Sequence, residues 1–389
     1  MRPKNSVFVS LLEPIDRRWF KSLVERHDAD AYDKSFSSWD HVVALIFAQL
    51  SRASSLRALE TAFNANASGH YHLGVAPLKR STLSDANARR PVAVYAELFT
   101  QLSQRLDRKT KREGDDMLRL IDSSPIPLAR IHEFARSNGR IHGLKLHVVH
   151  DPRADRPVSV DITPANVNDV EIGKKTRIEA GSTYVFDKGY CDYSWWTRIA
   201  QSEAFFVTRP KKNARFATLA TRPLQAAQGE SFTVLEDREV ELSSRNCSKL
   251  PMRLRLVTIE RDAQAGVKSR QITVITNDMA RTAVEIAALY KARWAIELLF
   301  RWIKQHLSIR KFLGRNENAV WLQVLAAMIA FVLLRIAAAA QRALPHLRFA
   351  ELVGQFLFDR RRIEAIDKPP PKKPPPSLWS LDQFAFQWR

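Results

Sequence analysis

The sequence predicts a mixed α/β protein in which helical regions precede and follow a strand-rich middle. Three patterns indicate this class. Residues 1–110 carry apolar side chains at helical spacing, short runs with the spacing of strands begin at residue 117, and helical spacing returns at residue 283. The 389 residues are enough for two or three domains with a sizeable core. Because 45% of the residues are hydrophobic, wholesale disorder is excluded.

The N-terminal region is predicted to consist of helices joined by polar breaks. Ser38 is expected to cap a helix over WDHVVALIFAQL, and a second helix is predicted over 54–63. Residues 79–90 open with turn-forming side chains and continue as a helix, and 92–106 form another amphipathic helix. The charged stretch 107–116 is predicted to be a linker.

The middle of the chain is predicted to alternate strands with short helices. The predicted strands are 117–122, 143–151, 157–164, 182–189 and 204–210. Helices are expected over 168–181, ending at Gly181, and over YSWWTRIAQS. Residues 211–278 form further short strand-like runs, which indicate a β-rich insertion.

The C-terminal region is predicted to be helical and to end in a basic, Pro-rich tail. Helices are expected over 283–307, near 320–341 and over 349–358. The apolar run Val324–Leu334 is interrupted by Arg335 and is shorter than the roughly 20 apolar residues of a membrane span, so we predict a buried core helix.

The charge and the cysteine content limit the class of partner and the compartment. Lys and Arg number 61 against 41 Asp and Glu, which leaves a net charge of +20 and predicts a polyanionic partner, either nucleic acid or an anionic membrane surface. Cys191 and Cys247 are too few for a disulfide scaffold or a Cys-based zinc finger. No export signal is visible, so we expect a cytoplasmic protein.

Three carboxylates form the first candidate site. Asp122 and Asp187 each end an apolar strand, which is where an α/β sheet places its active site, although a single such Asp is commonly a cap or turn residue. Glu297 lies on a predicted helix. Carboxylates from separate elements can hold two Mg²⁺ ions about 4 Å apart, and Mg²⁺ prefers oxygen ligands. The set therefore predicts metal-dependent phosphodiester chemistry.

The helix that carries Glu297 has one narrow polar strip. At about 100° per residue, Tyr290, Arg293, Glu297 and Lys304 fall within about 60° of arc, and Trp294 borders them. The rest of the circumference is largely apolar, which favours a buried helix that lines a site. The alternative is a solvated face with an ordinary Arg293–Glu297 ion pair. The basic side chains suit DNA phosphates.

These residues carry a resemblance to a known family. The segments LIDSSPIPL, YVFDKGYCDY and YKARWAIELLFRWIK resemble the three catalytic motifs of DDE transposases of the IS-four insertion-sequence family. That family's signature, Tyr-x2-Arg-x3-Glu-x6-Lys, is matched in full by Tyr290, Arg293, Glu297 and Lys304. The resemblance covers roughly residues 117–310.

The resemblance implies an RNase H-like catalytic core and cut-and-paste transposition through hairpin ends. It implies that Asp122, Asp187 and Glu297 are the catalytic, metal-binding triad for two Mg²⁺ ions, with Mn²⁺ as a substitute. It implies further that the signature's Tyr, Arg and Lys contact phosphates of the transposon end. The expected partners are double-stranded DNA, as transposon ends and as target, and a second copy of the chain in the synaptic complex, without a membrane. A transposase of this kind would be nucleoid-associated.

Four regions are expected on this basis. They are a helical DNA-binding region over 1–110, a catalytic core over 117–310 with its insertion at about 211–278, C-terminal helices over 311–360 and the tail over 361–389. Within the first region, the helix over 79–90 resembles a recognition helix. Its candidate contacts to bases and phosphates are Arg80, Asn87, Arg89 and Arg90, whereas a simple solvated helix is the alternative.

Two lesser assignments and two alternative functions complete the prediction. Lys145 in GLKLH resembles a family feature and is expected to approach the site, whereas Asp169 in NVND is expected to cap a helix. His147 and His150 fall on opposite faces of a strand, which argues against a metal site there. The alternative functions are an endonuclease without strand transfer and a catalytically silent DNA-binding repressor.

Overall fold

The computed structural model describes residues 5–31, 33, 35–110, 117–224, 228–229, 232–243, 252–261, 271–306, 312–339 and 344–368. Over these residues the chain is a mixed α/β protein with one large sheet, which confirms the predicted class. The predicted linker residues 111–116 and most of the tail, 369–389, lie outside the described residues.

Helices make up the N-terminal region, as predicted. They are α1 (Val7–Leu12), α2 (Arg17–Arg26), α3 (Ser38–Leu50), α4 (Leu56–Asn64), α5 (His70–Leu73), α6 (Arg80–Arg89) and α7 (Val92–Thr110). The cap of α3 is Ser37 rather than Ser38, because Ser37 and Asp40 form a reciprocal capping box. Residues 107–110 continue α7, so the predicted linker began too early.

The described strands form a single sheet. They are β1 (Leu118–Pro127), β2 (Arg136–Ser137), β3 (His142–Asp151), β4 (Arg156–Pro164), β5 (Thr183–Phe186), β6 (Phe205–Thr208), β7 (Phe216–Thr221), β8 (Gln228–Gly229), β9 (Phe232–Leu242), β10 (Leu254–Arg261) and β11 (Gln271–Thr276). The order across the sheet is β2-β3-β1-β5-β6-β11-β10-β9-β7, with β4 on β3 and β8 on β9. The strands of the predicted insertion therefore extend the same sheet beyond β6.

The central strand β1 joins two kinds of pairing. It is antiparallel to β3 and parallel to β5, and β5 is parallel to β6. Helix α8 (Asp169–Gly173) precedes β5, and α9 (Tyr193–Gln201) connects β5 to β6. The helix predicted over 168–181 is wrong beyond Gly173. The chain leaves helical geometry because tertiary contacts hold it: the backbone amide of Glu179 donates to the Tyr184 hydroxyl at 2.8 Å, and the Glu179 carboxylate pairs with Arg119 at 3.0 Å.

The predicted single helix over 283–307 is two helices, α10 (Ala283–Ala292) and α11 (Trp294–His306). They meet at Arg293, whose amide donates to the carbonyl of Tyr290 at 3.2 Å, while the amide of Ile296 donates to the carbonyl of Arg293 at 3.2 Å. Bonds over three residues tighten the chain at this point, so a helical wheel drawn through the whole segment is inaccurate there.

Helix α12 (Glu317–Ala338) is the central core helix, as predicted from its apolar run. It is buried among α3, α6, α7 and α13 (His346–Gln355). Among the described residues it is the one helix with the length and apolarity of a membrane span, and most of it is enclosed by the protein. The N-terminal helices and the sheet thus pack on one shared helix.

Candidate active site

The two aspartates lie side by side because of the parallel pairing of their strands. The β1–β5 ladder ends with Ile121 opposite Phe186, so Asp122 and Asp187 are the next residue on each strand. The prediction that Asp122 ends its strand is wrong, because β1 continues to Pro127 in its antiparallel pairing with β3. It does stand where the parallel ladder ends, which is the edge that matters for a site.

Helix α11 brings Glu297 to the same edge through Arg293. The guanidinium of Arg293 donates from Nη2 to Glu297 Oε1 at 2.7 Å and from Nη1 to Asp122 Oδ2 at 3.5 Å. The side chain of Arg293 is 19% exposed. Arg293 therefore lies between two of the predicted triad carboxylates and partly neutralises both.

The electrostatics of Asp122 reflect this crowding. The pKa of Asp122 is raised from 3.8 to about 6, chiefly by burial and to a smaller extent by the charges of Asp187 and Glu297, while the amide of Ser123 and the charge of Arg293 oppose the rise. Both other carboxylates thus act on Asp122. Among the described residues, no three His, Cys, Asp or Glu side chains stand close enough to form a ready metal-binding group. The three carboxylates lie at one edge of the sheet, but they are too far apart in this structure to bind one metal ion together.

Two aromatic residues of the polar strip border this edge in different ways. Tyr290 is buried, and burial raises the pKa of its hydroxyl, an effect that Arg293 opposes. Trp294 is 48% exposed, with the guanidinium of Arg301 5.4 Å from its ring centroid. A small cavity of about 70 Å³ lies beside them. Its other lining residues are Lys291 and Arg293 and, from the strands after β6, Phe232, Ile259 and Ile272.

Lys304 lies farther along the strip. It is half-buried on α11, two turns beyond Glu297, which is a rise of about 10 Å along the helix axis. Of the four signature residues, Tyr290, Arg293 and Glu297 therefore gather beside Asp122, and Lys304 stands apart from them along α11.

The predicted recognition helix has only part of its proposed surface exposed. Arg80 and Arg89 are exposed on α6, and Arg89 lies 3.6 Å from Asp33. The predicted DNA contacts of Asn87 and Arg90 are wrong. The side chain of Asn87 is buried and accepts from His41 Nε2 at 2.8 Å.

Arg90 is only 3% exposed because acidic and carbonyl groups enclose it. Its guanidinium pairs with Asp33 at 3.1 Å and with Asp30 at 3.6 Å, and it also donates to the carbonyl of Phe36. Asn318 at the start of α12 donates to the backbone carbonyls of Asn87 and Arg90. The side chains of Asn87 and Arg90 therefore pack the C-terminal end of α6 into the protein, whereas Arg89 stays on its exposed face.

The sequence reasoning missed a polar cluster behind Asp122. Asp169 is not the cap of α8, because Asn168 occupies that position. Its Oδ1 instead accepts from Ser123 Oγ at 2.9 Å and from Lys145 Nζ at 3.0 Å. Alternation along paired strands was the available signal, since Ser123 pairs with His147, and Lys145 lies two residues from His147 on the same face.

Two histidines of β3, His147 and His150, have structural partners. His147 Nε2 lies 2.8 Å from Thr163 Oγ1, and His150 Nε2 lies 3.4 Å from Asp155 Oδ1. Burial lowers the pKa of each to about 4. They are neutral core residues of two separate clusters.

Two family models match parts of this chain. Residues 113–333 match the family model described as a transposase DDE domain, and residues 3–76 match a domain of unknown function. The chain is 58% identical over 293 residues to a putative transposase, y4zB, of Sinorhizobium fredii (strain NBRC 101917 / NGR234), which spans 75% of this chain and 81% of that protein.

Two less similar relatives are also named as transposases of insertion sequence elements. A probable transposase for insertion sequence element IS5377 of Geobacillus stearothermophilus is 31% identical over 258 residues, spanning 66% of each chain. A putative transposase for insertion sequence element IS4SA of Synechocystis sp. (strain ATCC 27184 / PCC 6803 / Kazusa) is 26% identical, spanning 66% of this chain and 71% of that protein. A solved piggyBac transposase synaptic complex with hairpin DNA aligns over 98% of this chain and 83% of that chain with a TM-score of 0.42 and 10% identity, a likeness too low to carry an argument.

Proposed function

The chain belongs to the DDE transposases of insertion sequences, enzymes that act on DNA, and we propose that it binds the terminal inverted repeats of its own element and catalyses strand cleavage and strand transfer. The observation that carries the proposal is the shared edge of Asp122 and Asp187, to which Arg293 links Glu297. An enzyme that transfers both ends of an element has to hold them together, so we include a homodimer in the synaptic complex.

DDE transposase domains use divalent metal ions. We propose two Mg²⁺ ions, with Mn²⁺ as a substitute, held by Asp122, Asp187 and Glu297. The donor set fits this group because it offers only carboxylate oxygens, the ligands that Mg²⁺ prefers. When bound, such ions activate the attacking oxygen and stabilise the leaving oxygen of a phosphodiester.

The chain's own residues would orient the DNA for this chemistry. Arg293 now neutralises Asp122 and Glu297. We propose that it turns to a phosphate of the transposon end when cations and DNA enter, because a guanidinium matches a phosphate as well as a carboxylate. Tyr290 lies beneath it, with its ring centroid 5.7 Å from the guanidinium carbon, and supports that position. Lys304 would then contact a phosphate farther along the backbone.

The strand order supports an RNase H-like core. The five strands β4-β3-β1-β5-β6 place an antiparallel meander beside two parallel strands, with the first carboxylate on the central strand. We accordingly propose the regions expected from the sequence: a DNA-binding region over 1–110, the catalytic core over 117–310 and the C-terminal helices over 311–360. The strands β7 to β11 would be the insertion between Asp187 and Glu297.

The triad is tested by removing one carboxylate charge at a time. Asp122→Asn, Asp187→Asn and Glu297→Gln should each abolish Mg²⁺-dependent nicking of end-labelled transposon DNA while end binding in gel shifts persists. Glu171→Gln is a matched control, because Glu171 is exposed and, among the described residues, its ion-pair partner is Lys174 at 3.6 Å. Near wild-type cleavage by any triad variant would remove that residue from the proposed metal site.

We further propose that the second strand is cut through a hairpin on the transposon end. A hairpin crowds phosphates and unstacks a base, which calls for cations and an aromatic face. Arg293 and Lys304 supply the cations, and the exposed ring of Trp294 supplies the face. Because nearly half of the Trp294 side chain is exposed, the base would stack on the outer face of its ring.

The hairpin route is tested on denaturing gels with end-labelled DNA. Arg293→Ala and Lys304→Ala should spare first-strand nicking but impair hairpin formation or opening, and Trp294→Ala should do so more weakly. Trp302→Ala, on the same helix but packed edge-to-face on Phe331, separates this role from loss of packing. Blunt ends without a hairpin at any time point would exclude the route.

The exposed part of α6 is proposed to read the terminal repeat. Arg80 and Arg89 remain as candidate DNA contacts after Asn87 and Arg90 are assigned to the interior. Arg80→Ala with Arg89→Ala should weaken binding of repeat DNA more than binding of scrambled DNA in gel shifts with the full chain. An equal loss on both DNAs would leave only a phosphate contact.

A further inference from the structure

The polar cluster of Ser123, Lys145, His147 and Asp169, here called the Asp169 cluster, lies on the face of the sheet opposite to α11. Side chains alternate along β1, so Asp122 faces α11 and Ser123 faces the other way. On that face Asp169 Oδ1 accepts both the hydroxyl of Ser123 at 2.9 Å and the ammonium of Lys145 at 3.0 Å. The cluster is outside the proposed metal site but includes Ser123, the residue next to Asp122.

Ser123 is fixed from two directions. Its backbone amide donates to Asp122 Oδ1 at 2.8 Å, and its hydroxyl donates to Asp169. The bond to Asp122 holds one carboxylate oxygen back against β1 and leaves Oδ2 directed to Arg293. The orientation of Asp122 thus depends on the backbone of a residue whose side-chain hydroxyl is bonded to Asp169.

Asp169 also lies beneath the turn that carries Asp187. A Cβ at Gly189, two residues after Asp187, would stand 3.8 Å from Asp169 Oδ2. The hydroxyl of Tyr190 is buried in the same place, and its pKa is raised by burial and next by the charge of Asp169. One carboxylate therefore bonds to the residue after Asp122 and lies close to the turn after Asp187.

Asp169 is itself held in place. Lys145 Nζ donates to the carbonyl of Val167 at 2.8 Å as well as to Asp169, and its ammonium neutralises the carboxylate. His147 stands 3.9 Å from Asp169 Oδ1 and is anchored on Thr163. Because Oδ1 is committed to Ser123 and Lys145, Asp169 is suited to orient neighbours rather than to bind an ion.

We propose that Asp169 is a positioning residue of this transposase, which orients Asp122 through Ser123 and supports the turn after Asp187. The proposal rests on the proposed metal-dependent function of Asp122. Residues that orient metal ligands typically change metal affinity or activity by about 10- to 100-fold when they are removed. Asp169 therefore acts on how tightly and how correctly Mg²⁺ is held, and not on DNA binding.

The test compares Ser123→Ala, Asp169→Ala, Ser123→Thr and the control Glu171→Gln in the full chain. Three quantities are measured for each variant. They are the Mg²⁺ concentration for half-maximal nicking, the rise in melting temperature when Mg²⁺ is added without DNA, and end binding in gel shifts. Ser123→Ala and Asp169→Ala should raise the half-saturating Mg²⁺ about tenfold and reduce the Mg²⁺-induced rise in melting temperature, with end binding unchanged. Ser123→Thr, which keeps the hydroxyl, should restore both values.

A double variant tests whether the two residues act through one bond. Ser123→Ala with Asp169→Ala should be no worse than Asp169→Ala alone, whereas multiplied losses would overturn the proposal. If Asp169→Ala does not fold, Ser123→Ala decides, because it leaves the Lys145–Asp169 pair intact. Wild-type Mg²⁺ dependence of Ser123→Ala, alongside an inactive Asp122→Asn, refutes the positioning role and leaves the proposed function standing. Active Asp122→Asn would instead refute the proposed function.

Discussion

Replacing Asp122 by Asn should stabilise the metal-free protein at alkaline pH, although the same change should abolish cleavage. The carboxylate is mostly buried, with 21% of its side chain exposed, and burial is the main cause that raises its pKa from 3.8 to about 6. A folded-state pKa above the unfolded value means that the ionised form is less favourable in the folded chain. Asn resembles the neutral carboxyl group and removes that penalty.

The gain in unfolding free energy follows from the rise in the pKa of Asp122. A rise from 3.8 to about 6 corresponds to about 3 kcal/mol. The penalty is fully present above pH 6, declines as the pH falls from 6 toward 3.8, and is absent below 3.8. At about 2.1 cal/mol/K of unfolding entropy per residue, a gain of 3 kcal/mol over 389 residues raises the melting temperature by about 4 °C.

The assay is thermal unfolding in a chelating buffer at pH 8 and near pH 4.5, with and without excess Mg²⁺. The advantage of Asp122→Asn should be largest at pH 8 and should shrink at the lower pH. Mg²⁺ at ten times its dissociation constant should stabilise the wild type by about 1.4 kcal/mol and the variant much less. Glu171→Gln serves as the exposed control. A variant no more stable than the wild type at pH 8, or equally favoured at both pH values, would refute the reasoning.

Three further predictions concern the N-terminal helices and the β-rich insertion. Arg90→Ala should lower the unfolding free energy by about 3 kcal/mol, because it removes a buried guanidinium from the half-buried carboxylates of Asp30 and Asp33, and denaturant unfolding measures this. Loss of end binding in a fully stable variant would show a DNA contact instead. Burial lowers the pKa of His41 from 6.5 to about 3, so His41 does not penalise the folded state above pH 6.5 and lowers the unfolding free energy by about 1.4 kcal/mol per pH unit between 6.5 and 3. His41→Gln should therefore flatten the acid side of the curve of unfolding free energy against pH, and parallel curves for variant and wild type would contradict this. Arg255→Met should release the buried pair with Asp237, at 2.6 Å, and lower the melting temperature, whereas an unchanged melting temperature would show that the pair does not hold β9 to β10.

The sequence by itself determined the features that depend on local chemistry. Strand periodicity placed Asp122 and Asp187 after apolar runs, and the spacing from Tyr290 to Lys304 marked one face of a helical segment. The apolar run of α12 was sufficient to predict a core helix, because a segment apolar on nearly all sides has to be enclosed. Such properties are set within a few residues and do not need knowledge of distant partners.

Only the tertiary structure decided which polar side chains face DNA, core or one another. The sequence predicted Asn87 and Arg90 as recognition residues. In the structure they are enclosed by His41, Asp33 and Asn318, all of which are distant in sequence. The sequence predicted Asp169 as a helix cap, yet its carboxylate accepts hydrogen bonds from Ser123 of β1 and Lys145 of β3. A local pattern specifies what a side chain can bind, whereas pairing between distant segments determines which partner is within reach. That is why the sequence alone indicated the chemistry at Asp122 and left its supporting residues undetected.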